Sequence, residues 1–191
     1  MSGEPKTIRV EVWPLDVDPH AGNTVSGIWL VSGADAWRTA VPLPADCPVF
    51  AEARLVLAGH GVREPAIVHG TSVREDRGGT VMITHVAVVP VTGAYVHDDW
   101  PDAQPVPVER LLGEVGHPIR VNPADEPLPR YLDVLFHAVR HLAFLAQWDS
   151  EARAAFPPGW LGQLERLTPA LATLYLTEDA EATPIPRRVS A

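Results

Sequence analysis

The stretch AIVHGTSVREDRGGTVMITHVAVVPV (66–91) carries the fold class. Ala66–Val73 and Thr80–Val91 are rich in β-branched residues and flank the charged, glycine-bearing segment REDRGG. Gly78 and Gly79 supply the positive-φ positions that a tight turn between two strands requires, so 66–91 reads as a hairpin. Its second arm, TVMITHVAVVPV, is almost continuously apolar, the pattern of a strand covered on both faces. A central strand of that kind needs neighbours, and they lie upstream.

Ile8, Val10 and Val12 alternate with Arg9, Glu11 and Trp13, the period of a half-buried strand. After the turn-rich stretch Asp16–Asn23, Val25–Ser32 gives a second strand and Trp37–Val41 a third. Asp46 is placed to cap a helix running to Ala58, with Pro48 in its first turn and Gly59 and Gly61 as its stop. Ala51, Leu55 and Ala58, with Val56 beside them, give that helix an apolar side.

Downstream the texture changes. Prolines at 101, 105, 107, 118, 123, 127 and 129 forbid a long helix or an interior strand, leaving only Val108–Val115 for a short helix. A long helix then occupies 128–148, and a second helical stretch covers Trp160–Leu176, interrupted at Thr168–Pro169. The expected fold is α+β: a mostly antiparallel sheet of about five strands with one inserted helix, followed by a helical C-terminal segment. Residues 1–177 form one domain, with a sheet part (1–95), a proline-rich connector (96–129) and a helical part (130–177). Residues 178–191 read as a disordered tail.

The long helix carries the most chemistry. Leu128, Tyr131, Leu132, Leu135, Ala138, Val139, Leu142 and Ala146 share one arc of its wheel, a normal core stripe. The opposite arc holds Arg130, Asp133, His137, Arg140, His141, Phe144 and Trp148 where plain solvated charge is the rule. Such a face calls for a cover: another helix of the chain, a second copy, or a ligand. His137 and His141 stand four apart, close enough for one metal ion, and Asp133 one turn earlier is a candidate third ligand. The motif HAVRH lacks the glutamate that follows the first histidine in zinc proteases, so it offers no general base there.

Other candidates are weaker. His97, Asp98, Asp99 and Asp102 gather carboxylates on a loop, without the glycine and terminal glutamate of an EF-hand. His69 and His85 fall near one another across the hairpin ladder, and the sequence leaves open whether they share a face. Cys47 precedes a helix start, where backbone N–H groups lower a thiol pKa, yet no base can be assigned to it. Serines 26, 32 and 72 lack the GxSxG elbow, and no phosphate-cradling glycine loop occurs. Trp13, Trp29 and Trp37 are candidates to line one side of the sheet, as packing or as a binding patch.

Composition narrows the partners. Fifteen basic residues against 24 acidic give a net charge of −9, contrary to the basic footprint of nucleic-acid binding and unsuited to an anionic membrane. The single cysteine rules out an internal disulfide, and the N-terminus lacks a signal-peptide layout, which together suggest a cytoplasmic setting. Lys6 is the only lysine among those 15 basic residues, a bias that reports a GC-rich genome.

The segments PRYLDVLFHAVRHLAFL (129–145) and VEVWPLDVDPHAGNTVSGIWLV (10–31) resemble small proteins of actinobacteria and their phages that have no assigned activity. The resemblance implies a compact unit with a C-terminal helical part and brings no cofactor or substrate. ERLLGEVGHPI (109–119) resembles the end of the Nudix hydrolase signature at Glu114 and Gly116 alone. The paired glutamates that hold magnesium in that family are missing, so its activity does not carry over.

The expected function is a non-enzymatic binding or assembly module. It self-associates, as a homodimer, or takes another protein partner through the arc from Arg130 to Trp148, and it needs no cofactor. The alternative is a small metal-binding protein or hydrolase-like enzyme that uses His137 and His141 with Asp133.

Overall fold

The computed structural model describes residues 7–18, 27–75, 80–90, 92–93, 95–106 and 131–169. The fold is α+β, with one seven-stranded, mostly antiparallel sheet among the described residues. Its spine is β1 (Thr7–Val17). One flank of β1 carries three short antiparallel strands in succession. β2 (Ile28–Leu30) lies opposite Leu15–Val17, β3 (Trp37–Arg38) opposite Glu11–Val12, and β4 (Leu43–Pro44) opposite Thr7–Ile8. The expected hairpin is present as β5 (Ile67–Glu75) and β6 (Val81–Val88), antiparallel to each other, with β5 at the sheet edge. β6 pairs with the other flank of β1 in parallel, from Ile8↔Val81 to Leu15↔Val88. The chain reaches β6 from β1 by way of a helix and β5, and such a crossover is what permits a parallel neighbour. β7 (Gln104–Pro105), from the proline-rich connector, pairs beyond β2.

Both faces of this sheet are covered, which accounts for the near-continuous apolar reading of β6. On one face α1 (Val49–Gly59) sets Ala53 and Leu57 against Val10, Val12, Ala87 and Val89. Its cap differs from the sequence reading. Pro48, not Asp46, holds the N-cap position, and its carbonyl accepts the Glu52 amide. The stop is as expected: Gly61 turns at φ 88° and donates its amide to the Ala58 carbonyl. The one-turn helix α2 (Val96–Asp99) precedes β7.

The opposite face presents Trp13, Leu15, Val17, Ile28, Leu30, Val86 and Val88. It is covered by α3 (Tyr131–Trp148), α4 (Ser150–Ala155) and α5 (Trp160–Leu164). The helical C-terminal part is therefore the second cover of the sheet. Of the expected core stripe, Leu135, Ala138, Val139, Leu142 and Ala146 are buried, while the side chains of Leu128, Tyr131 and Leu132 lie outside what the structure describes. Val134, Phe136, Ala143 and Leu145 are buried too, so α3 is enclosed on more than one side, as befits a helix apolar beyond a single stripe. None of the described helices is long and apolar enough to cross a membrane. The expected short helix at 108–115, Arg130 and the tail from 178 lie outside the described residues.

Asp149 separates α3 from α4 and caps the latter. Its carboxylate accepts the amides of Glu151 at 2.9 Å and Ala152 at 3.0 Å. Asp149→Ala is expected to lower stability by about 1 kcal/mol in urea unfolding, the usual loss for an N-cap carboxylate. No loss would mean that packing alone positions α4.

Candidate functional site: a ladder of rings between α3 and β5

Spacing of three and four residues along α3 stacks its chemically loaded side chains into a column. The rings of His137 and His141 lie 5.9 Å apart and nearly parallel at 12°. His141 and Phe144 follow at 6.0 Å and 11°, then Phe144 and Trp148 at 6.4 Å and 31°. Accessibility rises from His141 outward along the column. His141 is only 2% exposed, Phe144 is half-buried against the core, and Trp148 is 41% exposed at the helix end.

The cover over the histidines is β5. The ring of His69 sits 4.6 Å from that of His141. His137 donates from Nε2 to the Thr71 carbonyl at 3.1 Å, which fixes its tautomer. Thr71 lies at the register shift of the β5–β6 ladder between Gly70 and Ser72, where its carbonyl meets His137. Arg140 reaches the other way and donates from Nε to the carbonyl of Thr168 at 2.9 Å. The stretch after α5 thus covers Arg140, and the strand covers the histidines. Asp133 stands on α3, and its side chain lies outside what the structure describes.

Every histidine of this region is held below its ordinary pKa. His141 is pulled down to about 3, first by burial, then by His69 and His137 beside it. Burial lowers His137, with Arg140 adding to the effect and the Thr71 carbonyl opposing it. Burial also lowers His69, against an opposing pull from Asp149. His141 Nδ1 is buried without a hydrogen-bond partner among the described residues. The cluster is therefore a set of neutral rings, packed rather than solvated.

The other candidates separate. The register His69↔Val86 and Gly70↔His85 puts His69 and His85 on opposite faces, so they form no cross-strand pair. His85 instead lies on the α1 side, its ring 6.4 Å from that of Phe50. Two of the three 97–102 carboxylates are spent on the chain itself: Asp99 accepts the amides of Thr92 and Gly93, and Asp98 that of Tyr95. Among the described residues no three His, Cys, Asp or Glu side chains are grouped to hold a metal ion. The Cys47 thiol is pushed up, by burial and then by Glu52 and Asp46, the reverse of activation. Trp13 is buried on the α3 face, while Trp37 packs on the α1 face and stacks on His60 at 4.2 Å. The tryptophans therefore do not line one side of the sheet.

Two buried carboxyl groups were not legible as special. Glu11, fully buried in β1, accepts Thr84 Oγ1 at 2.8 Å and the Arg38 guanidinium at 3.3 Å. Asp16, 2% exposed, has its pKa pushed up to about 7, chiefly by burial. A perturbed buried carboxyl is a common mark of function, yet nothing in the local sequence VWPLDVD signals burial of that aspartate. Compared with known proteins, the chain matches no family and no curated protein.

Proposed function

We propose that the chain is a non-enzymatic binding and assembly module that self-associates through the C-terminal end of α3. The observation that carries this reading is the exposed Trp148, backed by half-buried Phe144 at the open end of the ring ladder. Tryptophan at the end of a rigid helix is the side chain that most often anchors an interface, because it buries much area at little entropic cost. Burying it against a second copy contributes roughly 1.5–3 kcal/mol per side. The inner part of the loaded face, His137 and His141, is occupied by β5, so the association surface narrows to the outer end.

The enzyme or metal-binding alternative is less well supported. Nε2 of His137 is committed to Thr71, its ring lies nearly parallel to that of His141, and the Cys47 thiol is not activated. Rings that bind one ion converge on it rather than stack.

Light scattering on a size-exclusion column tests the proposal with wild type beside Trp148→Glu. Phe144 is left in place because its ring packs on the core and its loss would confuse unfolding with dissociation. The expected result is a wild-type dimer and a folded monomeric variant. A wild-type chain that stays monomeric at every concentration, or a dimer indifferent to Trp148→Glu, overturns it.

A further inference from the structure

The histidine cluster lies where a long core helix meets an edge strand, and the two have very different resistance to opening. α3 is rooted in the main core through Leu135, Ala138, Val139 and Leu142. Among the described residues β5 is hydrogen-bonded to a strand on one side only, and its ladder has a register shift between Gly70 and Ser72. Any force between them moves the strand first, since edge segments sit at the low end of a protein's local stabilities.

We propose that His69, His137 and His141 form a proton-operated latch that holds the bulged stretch of β5 on α3 while neutral and lets it lift on acidification. Three rings meet at one spot, with centroid separations of 4.6 Å and 5.9 Å to His141, and the central ring is shut off from solvent. A proton on His141 would enter beside two further imidazoles with no hydrogen-bond acceptor waiting at Nδ1. The groups that act on His141 by charge are His69 and His137, and both disfavour its protonation. On α3, Arg140 disfavours protonation of the neighbouring His137. From the α3–α4 junction Asp149 favours protonation of His69, but burial outweighs it. Through the sheet, His69 adds to the lowering of His85 of β6. Glu11 of β1 is engaged by Thr84 and Arg38. Lifting β5 returns His69 and the α3 rings to water, where each takes up a proton near its ordinary pKa of about 6.5.

The sign follows from linkage. The closed form binds fewer protons than the lifted one, so closure is complete above the ordinary histidine pKa and weakens as pH falls below it. The Thr71 carbonyl suits either charge state of His137, since Nε2–H donates in both. The repulsion therefore centres on His69 and His141.

Hydrogen exchange followed residue by residue at pH 7.5 and pH 5, corrected for intrinsic rates, reads the latch directly. Both wild type and Trp148→Glu are measured, so that any change of oligomeric state is separated. The expected result is a loss of protection of about tenfold or more at β5 amides 69–73, with β1 and the buried turns of α3 unchanged. His69→Gln, at a half-buried position, is expected to restore most of the β5 protection at pH 5. His141→Leu is expected to do the same where it folds. Uniform loss across β1, α3 and β5, or β5 protection that is the same at both pH values, overturns the latch. So does a β5 response that His69→Gln leaves untouched.

Discussion

Asp16→Asn is expected to stabilise the protein at pH 8 by on the order of 3 kcal/mol, an advantage that shrinks toward zero near pH 4–5. The carboxyl is buried in β1, accepts the Val17 amide at 2.6 Å on one oxygen, and leaves the other without a hydrogen bond among the described residues. Burial raises its pKa to about 7, and Asp99 adds to the rise. The Val17 amide and the nearby Trp160 indole pull the other way. The folded state therefore keeps a proton that the unfolded chain gives up just below pH 4. Stability from this group is complete below the unfolded pKa and is lost as pH rises through about 7. An amide has no charge to desolvate, so the variant escapes the loss and keeps only a small cost from imperfect hydrogen bonding. Urea unfolding of both proteins from pH 4.5 to 8.5 measures the difference. The histidine contribution runs in the opposite direction but is common to both chains and cancels. A gain that does not vary with pH would show that Asp16 is ionised in the fold, and the account of its burial would fail.

Much of the fold was legible because it is written in local periodicities. The hairpin at 66–91, the strand at 8–13 and the core stripe from Leu135 to Ala146 each announce themselves by spacing within a dozen residues. What was not legible depends on partners far apart in sequence. Nothing in TIRVEVWPLDV says that β1 takes β6 in parallel on one flank and three short strands end to end on the other. The short strands β3 and β4, two residues each, carry no period at all. The cap of α1 went to Pro48 because the chain enters the helix two residues later than a cap at Asp46 would require.

The site divides in the same way. The wheel of α3 showed that His137, His141, Phe144 and Trp148 form one column, and the ring distances bear that out. A wheel does not encode what stands opposite. The cover turned out to be β5 for the histidines, and for the residue that completes the cluster, His69, the sequence leaves open whether it shares a face with His85. Register decided that point, since a single step between Gly70 and His69 moves a side chain through the sheet. Glu11 gave the least warning, for it occupies the polar phase of an ordinary alternating strand.

That buried glutamate sets the second large expected effect. Arg38→Met should cost about 2–4 kcal/mol, because it takes the guanidinium away from a charge that the fold has shut away from water. Glu11 is 0% exposed, and its carboxylate is shared between Thr84 Oγ1 and Arg38 Nε. The arginine is itself fixed by two hydrogen bonds to Asp35, at 2.6 and 2.8 Å, which hold its fork in place at the sheet flank. Methionine keeps the aliphatic stem, so the loss reports charge rather than packing. The figure is set below the full cost of breaking a buried pair because Arg38 is partly open to solvent and Thr84 remains bonded. A further readout separates this from a generic destabilisation. Adding Glu11→Gln to Arg38→Met should recover at least half of the loss, since the amide needs no cation. Urea unfolding of wild type, the two single variants and the double variant at pH 7.5 gives these quantities. A loss under 1 kcal/mol for Arg38→Met, or a double variant no better than the single, would mean that the Glu11 carboxylate is balanced by neighbours other than Arg38.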